Sequence, residues 1–137
     1  DGGRTWQRVA DAPAGLIDIA ASARDPERLY AATGVGLFVS QADAQDWRRA
    51  HPAQAPVSLV EVTADGILHA FILGEGLVRR AEGETEWERI HPGFQDRFLL
   101  YFATDPQTPD RVFAATQHGE LLTSDNGGRS WRQLGIE

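Results

Sequence analysis

Ser124-Asp125-Asn126-Gly127-Gly128-Arg129-Ser130-Trp131 is the stretch whose reading decides the fold. Two consecutive glycines sit where a tight hairpin must pass through positive φ, a conformation that costs glycine almost nothing. Asp125 and Asn126 ahead of them can fold their side chains onto nearby backbone N–H groups and lock the turn. Ser130 offers a hydroxyl for the same purpose, and Trp131 supplies a large apolar anchor for the hairpin. The chain opens on Asp1-Gly2-Gly3-Arg4-Thr5-Trp6, the same pattern without its first residues.

Working outward from this turn, the sequence repeats. Tryptophan occurs at 6, 47, 87 and 131, spacings of 41, 40 and 44 residues. Pro26-Glu27-Arg28-Leu29-Tyr30-Ala31-Ala32-Thr33 matches Pro109-Asp110-Arg111-Val112-Phe113-Ala114-Ala115-Thr116, and Gly36-Leu37-Phe38-Val39 matches Gly76-Leu77-Val78-Arg79. A helical solenoid of similar period needs long apolar stretches at 3.6-residue spacing, and these runs are too short and too punctuated by glycine. Short apolar runs within a period of this length predict an all-β chain of four-stranded antiparallel propeller blades. The predicted inner strands cover 16–21, 57–63 and 99–104; the second strands 29–33, 67–73 and 112–116; the third 37–40, 77–80 and 121–124. A fourth strand begins at each tryptophan, so the reading is three blades, approximately 10–50, 51–90 and 91–134, plus an orphan N-terminal strand after Trp6. Three blades are fewer than the four to eight with which propellers close. The chain also opens inside a turn motif and has no methionine, so residues 1–137 read as a single partial propeller within a longer polypeptide.

The motif Ser124, Asn126, Gly128, Ser130, Trp131, with its partial copy Asp1, Gly3, Thr5, Trp6, resembles the Asp-box of BNR-repeat β-propellers. That family includes sialidases, xyloglucanase-like glycosidases, sortilin-type receptors and photosystem-assembly factors. The resemblance implies that these residues are a structural turn far from any ligand, and it favours a secreted or periplasmic location. The motif decays in the inner units. Ser40-Gln41-Ala42-Asp43-Ala44-Gln45-Asp46-Trp47 has no glycine pair, and Arg80-Ala81-Glu82-Gly83-Glu84-Thr85-Glu86-Trp87 keeps one glycine.

Composition narrows the function. A net charge of −7 excludes the basic surface that nucleic acid or an anionic membrane requires. No apolar run approaches membrane-spanning length. Without cysteine there is no thiolate chemistry. The histidines at 51, 69, 91 and 118 have no zinc-ligand spacing among them, so neither a metal nor a cofactor is expected. The alternating Glu82, Glu84, Glu86 and Glu88 read as a solvated strand face.

Two classes of function remain. A glycosidase would draw on Asp18, Glu61 and Tyr101, which fall on successive inner strands. The resemblance to sialidases implies an arginine triad as well, but only Arg97 lies near the start of an inner strand and the Arg-Ile-Pro signature is missing. The favoured reading is a non-catalytic module that binds or scaffolds a protein or a glycan, joined to further blades or to a second copy of itself. Binding residues are expected on the loops that link the fourth strand to the next first strand and the second to the third, because loops on a rigid scaffold carry function. Those loops hold His51, Glu75, His91, Arg97, Gln117 and His118, with Asp11 and Asp96 beside them.

Overall fold

The computed structural model describes residues 1–41 and 44–135. Ala42 and Asp43, inside the first inner turn, lie outside the described residues. Among the described residues, twelve strands make three four-stranded antiparallel sheets. The first sheet contains β1 (Leu16–Ala21), β2 (Leu29–Thr33), β3 (Gly36–Gln41) and β4 (Gln45–Arg49) in spatial order. The second contains β5 (Val57–Val62), β6 (Ile67–Ile72), β7 (Gly76–Ala81) and β8 (Glu88–His91). The third contains β9 (Leu99–Thr104), β10 (Val112–Thr116), β11 (Leu121–Ser124) and β12 (Arg132–Gln133). Among the described residues there is no helix, and hence none long and apolar enough to cross a membrane.

The innermost strands β1, β5 and β9 lie side by side. Each begins with an irregular register against its neighbour, at Leu16/Asp18, Val57/Leu59 and opposite Ala115/Thr116. Such bulges strengthen local twist and re-aim side chains. At Ser58, the residue the bulge frees on β5, the hydroxyl donates to the Leu99 carbonyl and ties the second sheet to the third.

Apolar packing is concentrated in two layers, one between each pair of consecutive sheets. Tyr30, Leu37, Val57, Val60, Leu68 and Ile72 fill the first; Leu59, Phe71, Leu77, Leu99, Phe102 and Val112 fill the second. Strands alternate their side chains between two faces, so β5 and β6 serve both layers. Trp87, ahead of β8, packs into the first layer and donates its indole N–H to Ala50 of the first sheet at 2.9 Å. Trp131, ahead of β12, packs into the second, edge-on to Phe94 and Phe102. Trp87 therefore fastens its own sheet to the one before it, while Trp131 sits in the equivalent layer against Phe102 of its own sheet and Phe94 of the link.

The turn before Trp131 closes as its residues predict. The Ser124 hydroxyl donates to Asn126 Oδ1 at 2.8 Å and accepts from the Gly128 N–H at 3.0 Å. Asn126 Oδ1 accepts the Ser130 N–H at 2.9 Å, Asn126 Nδ2 donates to Ser130 Oγ at 2.8 Å, and the Trp131 indole donates to the Gly128 carbonyl at 2.8 Å. Gly128 has φ of 95°, and a Cβ there would lie 2.7 Å from Leu77 of the neighbouring sheet, so both backbone and packing require glycine. In the first sheet Ala44 takes this place at φ of 60°, a conformation costing an alanine about 1–2 kcal/mol; the Trp47 indole still donates to its carbonyl at 2.9 Å. Asp125 departs from expectation. It makes no turn-locking bond and instead faces Arg111 at 3.5 Å and Arg132 at 3.8 Å.

Two further expectations change. Asp1 accepts from the Arg4 N–H at 3.0 Å and from the Thr5 hydroxyl, and the Trp6 indole donates to the Gly3 carbonyl at 2.8 Å, so the N-terminal turn forms. The stretch after Trp6 is not a strand, however, and Trp6 is 87% exposed. A fourth strand needs the edge of a third strand to bond to, and none among the described residues pairs with it. Glu82 is not part of a solvated face either: it is 3% exposed. Its carboxylate accepts from the Ser22 hydroxyl, from the Ala23 N–H at 2.9 Å and from the Tyr30 hydroxyl at 3.0 Å, all in the first sheet and its first link. Burial, then this carboxylate, holds the Tyr30 phenol above its usual range.

Replacing Trp131 by Ala is expected to cost about 3 kcal/mol of unfolding free energy, the low end for a large aromatic because the ring is half-buried. Glu82→Ala is expected to cost about 2 kcal/mol, since it leaves the buried Tyr30 hydroxyl and the half-buried Ser22 hydroxyl without their acceptor. Urea unfolding midpoints measure both; a Glu82→Ala protein as stable as the wild type would remove the inter-sheet role assigned to that carboxylate.

Candidate functional site

The carboxylates singled out on the inner strands are placed by the sheets. Asp18 Oδ1 accepts the N–H of Ile19 at 2.9 Å and Oδ2 accepts that of Val60 at 3.1 Å, a tie between β1 and β5. Glu61 is half-buried, and burial followed by the Asp18 charge pushes its carboxyl above the usual range. Tyr101 is 72% exposed on the third sheet, on the side away from the second. Asp18 and Glu61 thus lie near one another on adjacent inner strands, and Tyr101 lies apart from them. Asp18 has its oxygens on backbone amides, and Tyr101 lies on an open flank.

The loop residues fall into two groups. His51 packs edge-on to Trp87 with ring centroids 5.0 Å apart, and its Nδ1 accepts the Ala53 N–H at 3.0 Å. Burial lowers its pKa, and the Glu75 charge nearby opposes that shift, so Glu75 belongs with His51 at the boundary of the first and second sheets. His91 repeats the arrangement one unit on, its Nδ1 accepting the Gly93 N–H at 3.1 Å, and burial lowers it as well. Both histidines thus cap equivalent loops. Asp11 lies elsewhere, beside Pro26 and Glu27 near the link between β1 and β2.

The second group forms a shelf between the second and third sheets. His91 stacks on Phe94 at 4.5 Å, and the Arg97 guanidinium lies 5.8 Å from the Phe94 ring centroid. Arg97 Nη1 donates to Glu120 Oε1 at 3.0 Å, and Glu120 Oε2 accepts from the Thr116 hydroxyl at 2.9 Å. The Thr116 bond, then the Arg97 bond, holds Glu120 below the ordinary carboxylate range. Gln117 clamps the loop, accepting the Phe98 N–H at 2.9 Å and donating to the Asp96 carbonyl at 2.8 Å. His118 is exposed at the same rim. A cavity of about 390 Å³ opens here, lined by Phe71, Pro92, Phe94, Arg97 and Phe98. At its tip Gln95 has φ of 60°, a strained backbone of the kind that gathers at functional sites. Composition-led reading weighed the histidines and overlooked Phe94, Phe98 and Glu120. The crowding of Phe94 and Phe98 around Arg97 was the available signal.

At the opposite end a polar ladder crosses the second sheet. Register places Glu61 opposite His69, His69 opposite Arg79 and Arg79 opposite Glu88. Glu88 receives Arg79 at 3.0 Å and Arg129 of the third sheet at 2.7 Å. His69, 5% exposed, stacks on Phe102 at 4.8 Å, and its buried Nδ1 has no hydrogen-bond partner among the described residues. Burial, reinforced by the Arg79 charge, lowers its pKa to about 4. No sequence signal distinguished His69, because only register brings its partners together. Among the described residues no cluster of His, Asp and Glu is arranged to hold a metal ion.

No family model matches the chain, and no curated protein matches it. Solved structures do. YCF48 bound to D1 peptide superimposes with a TM-score of 0.68 at 20% identity over 97% of this chain and 44% of that one. The GH74 xyloglucanase from Xanthomonas campestris gives 0.61 at 17% identity over 96% of this chain and 20% of that one. The extracellular domain of a one-component system from B. thetaiotaomicron gives 0.68 at 18% identity, with 93% and 18% covered. The chain spans less than half the length of each of these structures. At such identities the likeness establishes the fold, which is that of β-propeller blades.

The His69 geometry makes a pH prediction. The folded ring binds its proton near pH 4 and the unfolded ring near 6.5, so between those values the unfolded state holds more protons. Stability is therefore complete above pH 6.5 and falls as pH drops toward 4. Full loss amounts to about 3 kcal/mol, and the lowered His51 and His91 add to it with the same sign. Comparing the urea midpoints of the wild type and His69→Gln from pH 7.5 to 4.5 isolates the term: the variant is expected to show the shallower slope.

Proposed function

We propose that this chain is a non-catalytic BNR-repeat propeller module that binds or scaffolds a protein or glycan, within a larger propeller completed by further blades or by self-association. The observation carrying the reading is the shelf formed by His91, Phe94, Arg97 and Phe98 between the second and third sheets. Aromatic faces give contact area at little entropic cost, and a guanidinium presents a planar fork to a carboxylate or carbonyl. Glu120 takes Nη1 of that fork, and Arg97 lines the cavity. The YCF48 structure bound to a peptide supports a protein ligand over a glycan. Exposed Ile17 and Ile19 on the first sheet and Tyr101 and Leu121 on the third support completion by neighbours, because a monomer rarely leaves such apolar sheet faces open.

The GH74 likeness keeps glycoside hydrolysis as the alternative, with Glu61 as its acid. Immobilised short peptides and oligosaccharides probe the two readings together, alongside fluorogenic aryl glycosides. The expected result is capture without hydrolysis, weakened at least tenfold by Phe94→Ala or Arg97→Ala, as truncation of interface anchors commonly does. Hydrolysis by the wild type that Glu61→Gln abolishes would establish the alternative. Capture unaffected by the shelf variants would overturn the assignment of this site.

A further inference from the structure

We propose that the cleft between the second and third sheets at the end carrying the Gly127-Gly128 turn, remote from the shelf, binds the basic side chain of a partner peptide. The cleft encloses about 290 Å³, at the small end for ligand pockets, which suits one long side chain and is too small for an oligosaccharide. Its walls are acidic. Asp65 stands in the turn between β5 and β6, and Asp105 and Asp110 stand in the link between β9 and β10. Asp65 Oδ1 accepts from the Thr63 hydroxyl and Asp105 Oδ1 accepts the Gln107 N–H at 2.9 Å. Among the described residues, the second oxygen of each and both side-chain oxygens of Asp110 have no bonded partner. Arg79 also lines the cleft and shares Glu88 with Arg129, at 3.0 and 2.7 Å, so the three aspartates outnumber the one guanidinium among the lining residues.

The floor supplies an independent observation. His69 lines the cleft, is nine-tenths and more buried, and among the described residues its ring nitrogen Nδ1 has no partner within hydrogen-bond distance and angle. A buried polar atom left unpaired is costly unless something reaches it. The neutral ring, held so by burial, places no positive charge in the way of a cation. The carboxylates are spread over walls on two sheets and do not converge as metal ligands. The site therefore suits a cation whose charge and donors are spread over several atoms, as in a guanidinium, or carried on a long apolar stem, as in a lysine. Pro106 and Pro109 flank the mouth and can receive that stem.

Isothermal titration with N-acetyl-arginine amide, N-acetyl-lysine amide and the neutral N-acetyl-citrulline amide tests the idea, with NMR of the histidine ring nitrogens in parallel. Saturable binding of both cationic amides is expected, at least tenfold tighter than citrulline, with the His69 nitrogen resonances moving on titration. Asp65→Asn combined with Asp110→Asn is expected to weaken it at least tenfold while preserving the strand circular dichroism. Arg97→Ala is expected to leave it unchanged, so this site stands or falls apart from the shelf. Equal binding of citrulline, equal binding by the double variant, or no saturation by about 10 mM arginine amide would overturn it.

Discussion

The structure depends on the face-to-face packing of consecutive sheets. A single four-stranded sheet of this size exposes apolar residues on both faces and cannot bury them alone. The second sheet can, because Leu68 and Ile72 meet the first sheet while Leu59 and Phe71 meet the third. Trp87 reinforces that arrangement by bonding to Ala50 of the preceding unit, and Trp131 by packing into the layer between the second and third sheets. The first and third sheets each have one such partner, and their other faces carry the exposed Ile17, Ile19, Tyr101 and Leu121. Binding at a boundary between sheets is thereby linked to the packing that creates the boundary.

Polar groups follow the same plan. The turn ahead of Trp131 satisfies the Gly128 and Ser130 N–H groups internally, through Ser124 and Asn126. The turn ahead of Trp87 lacks those residues and sends Glu82 across to Ser22, Ala23 and Tyr30 of the neighbouring unit. The two solutions are alternatives at equivalent places: one closes a loop on itself, the other couples neighbouring sheets through a buried carboxylate. Coupling of the second kind demands that every donor stay paired, since low local polarity magnifies both the bond and its loss. Asp18, bonded to the amides of Ile19 and Val60, does similar work at the inner strands. A carboxylate singled out by its position in the repeat here joins two inner strands through their amides.

How far the sequence could be read depends on the range of the interactions concerned. Strand positions were legible because the repeat and alternation are local: β1, β2, β9, β10 and β11 span the expected residues, and the others differ by one or two at their ends. The lock of the Ser124–Trp131 turn was legible for the same reason, since the bonds of Ser124, Asn126 and the Trp131 indole fall within four residues. Asp125 was misread because its partners Arg111 and Arg132 come from other strands. The fourth strand expected after Trp6 failed because a strand is a relation between two segments, and pattern alone does not provide the second.

The sequence by itself determined that this is an all-β repeat of about forty residues with a self-locking turn before a tryptophan, since short-range steric and hydrogen-bonding rules suffice for that. Tertiary structure alone decided which polar residues matter. Cross-strand register put His69 between Glu61 and Arg79, and sheet stacking then closed Phe102 over it. Glu82 became a buried clamp, while Glu84 and Glu86, two and four residues on, stayed in solvent. Residues adjacent in sequence thus acquired different chemistry, because burial and charge are set by what the neighbouring sheet brings to each face.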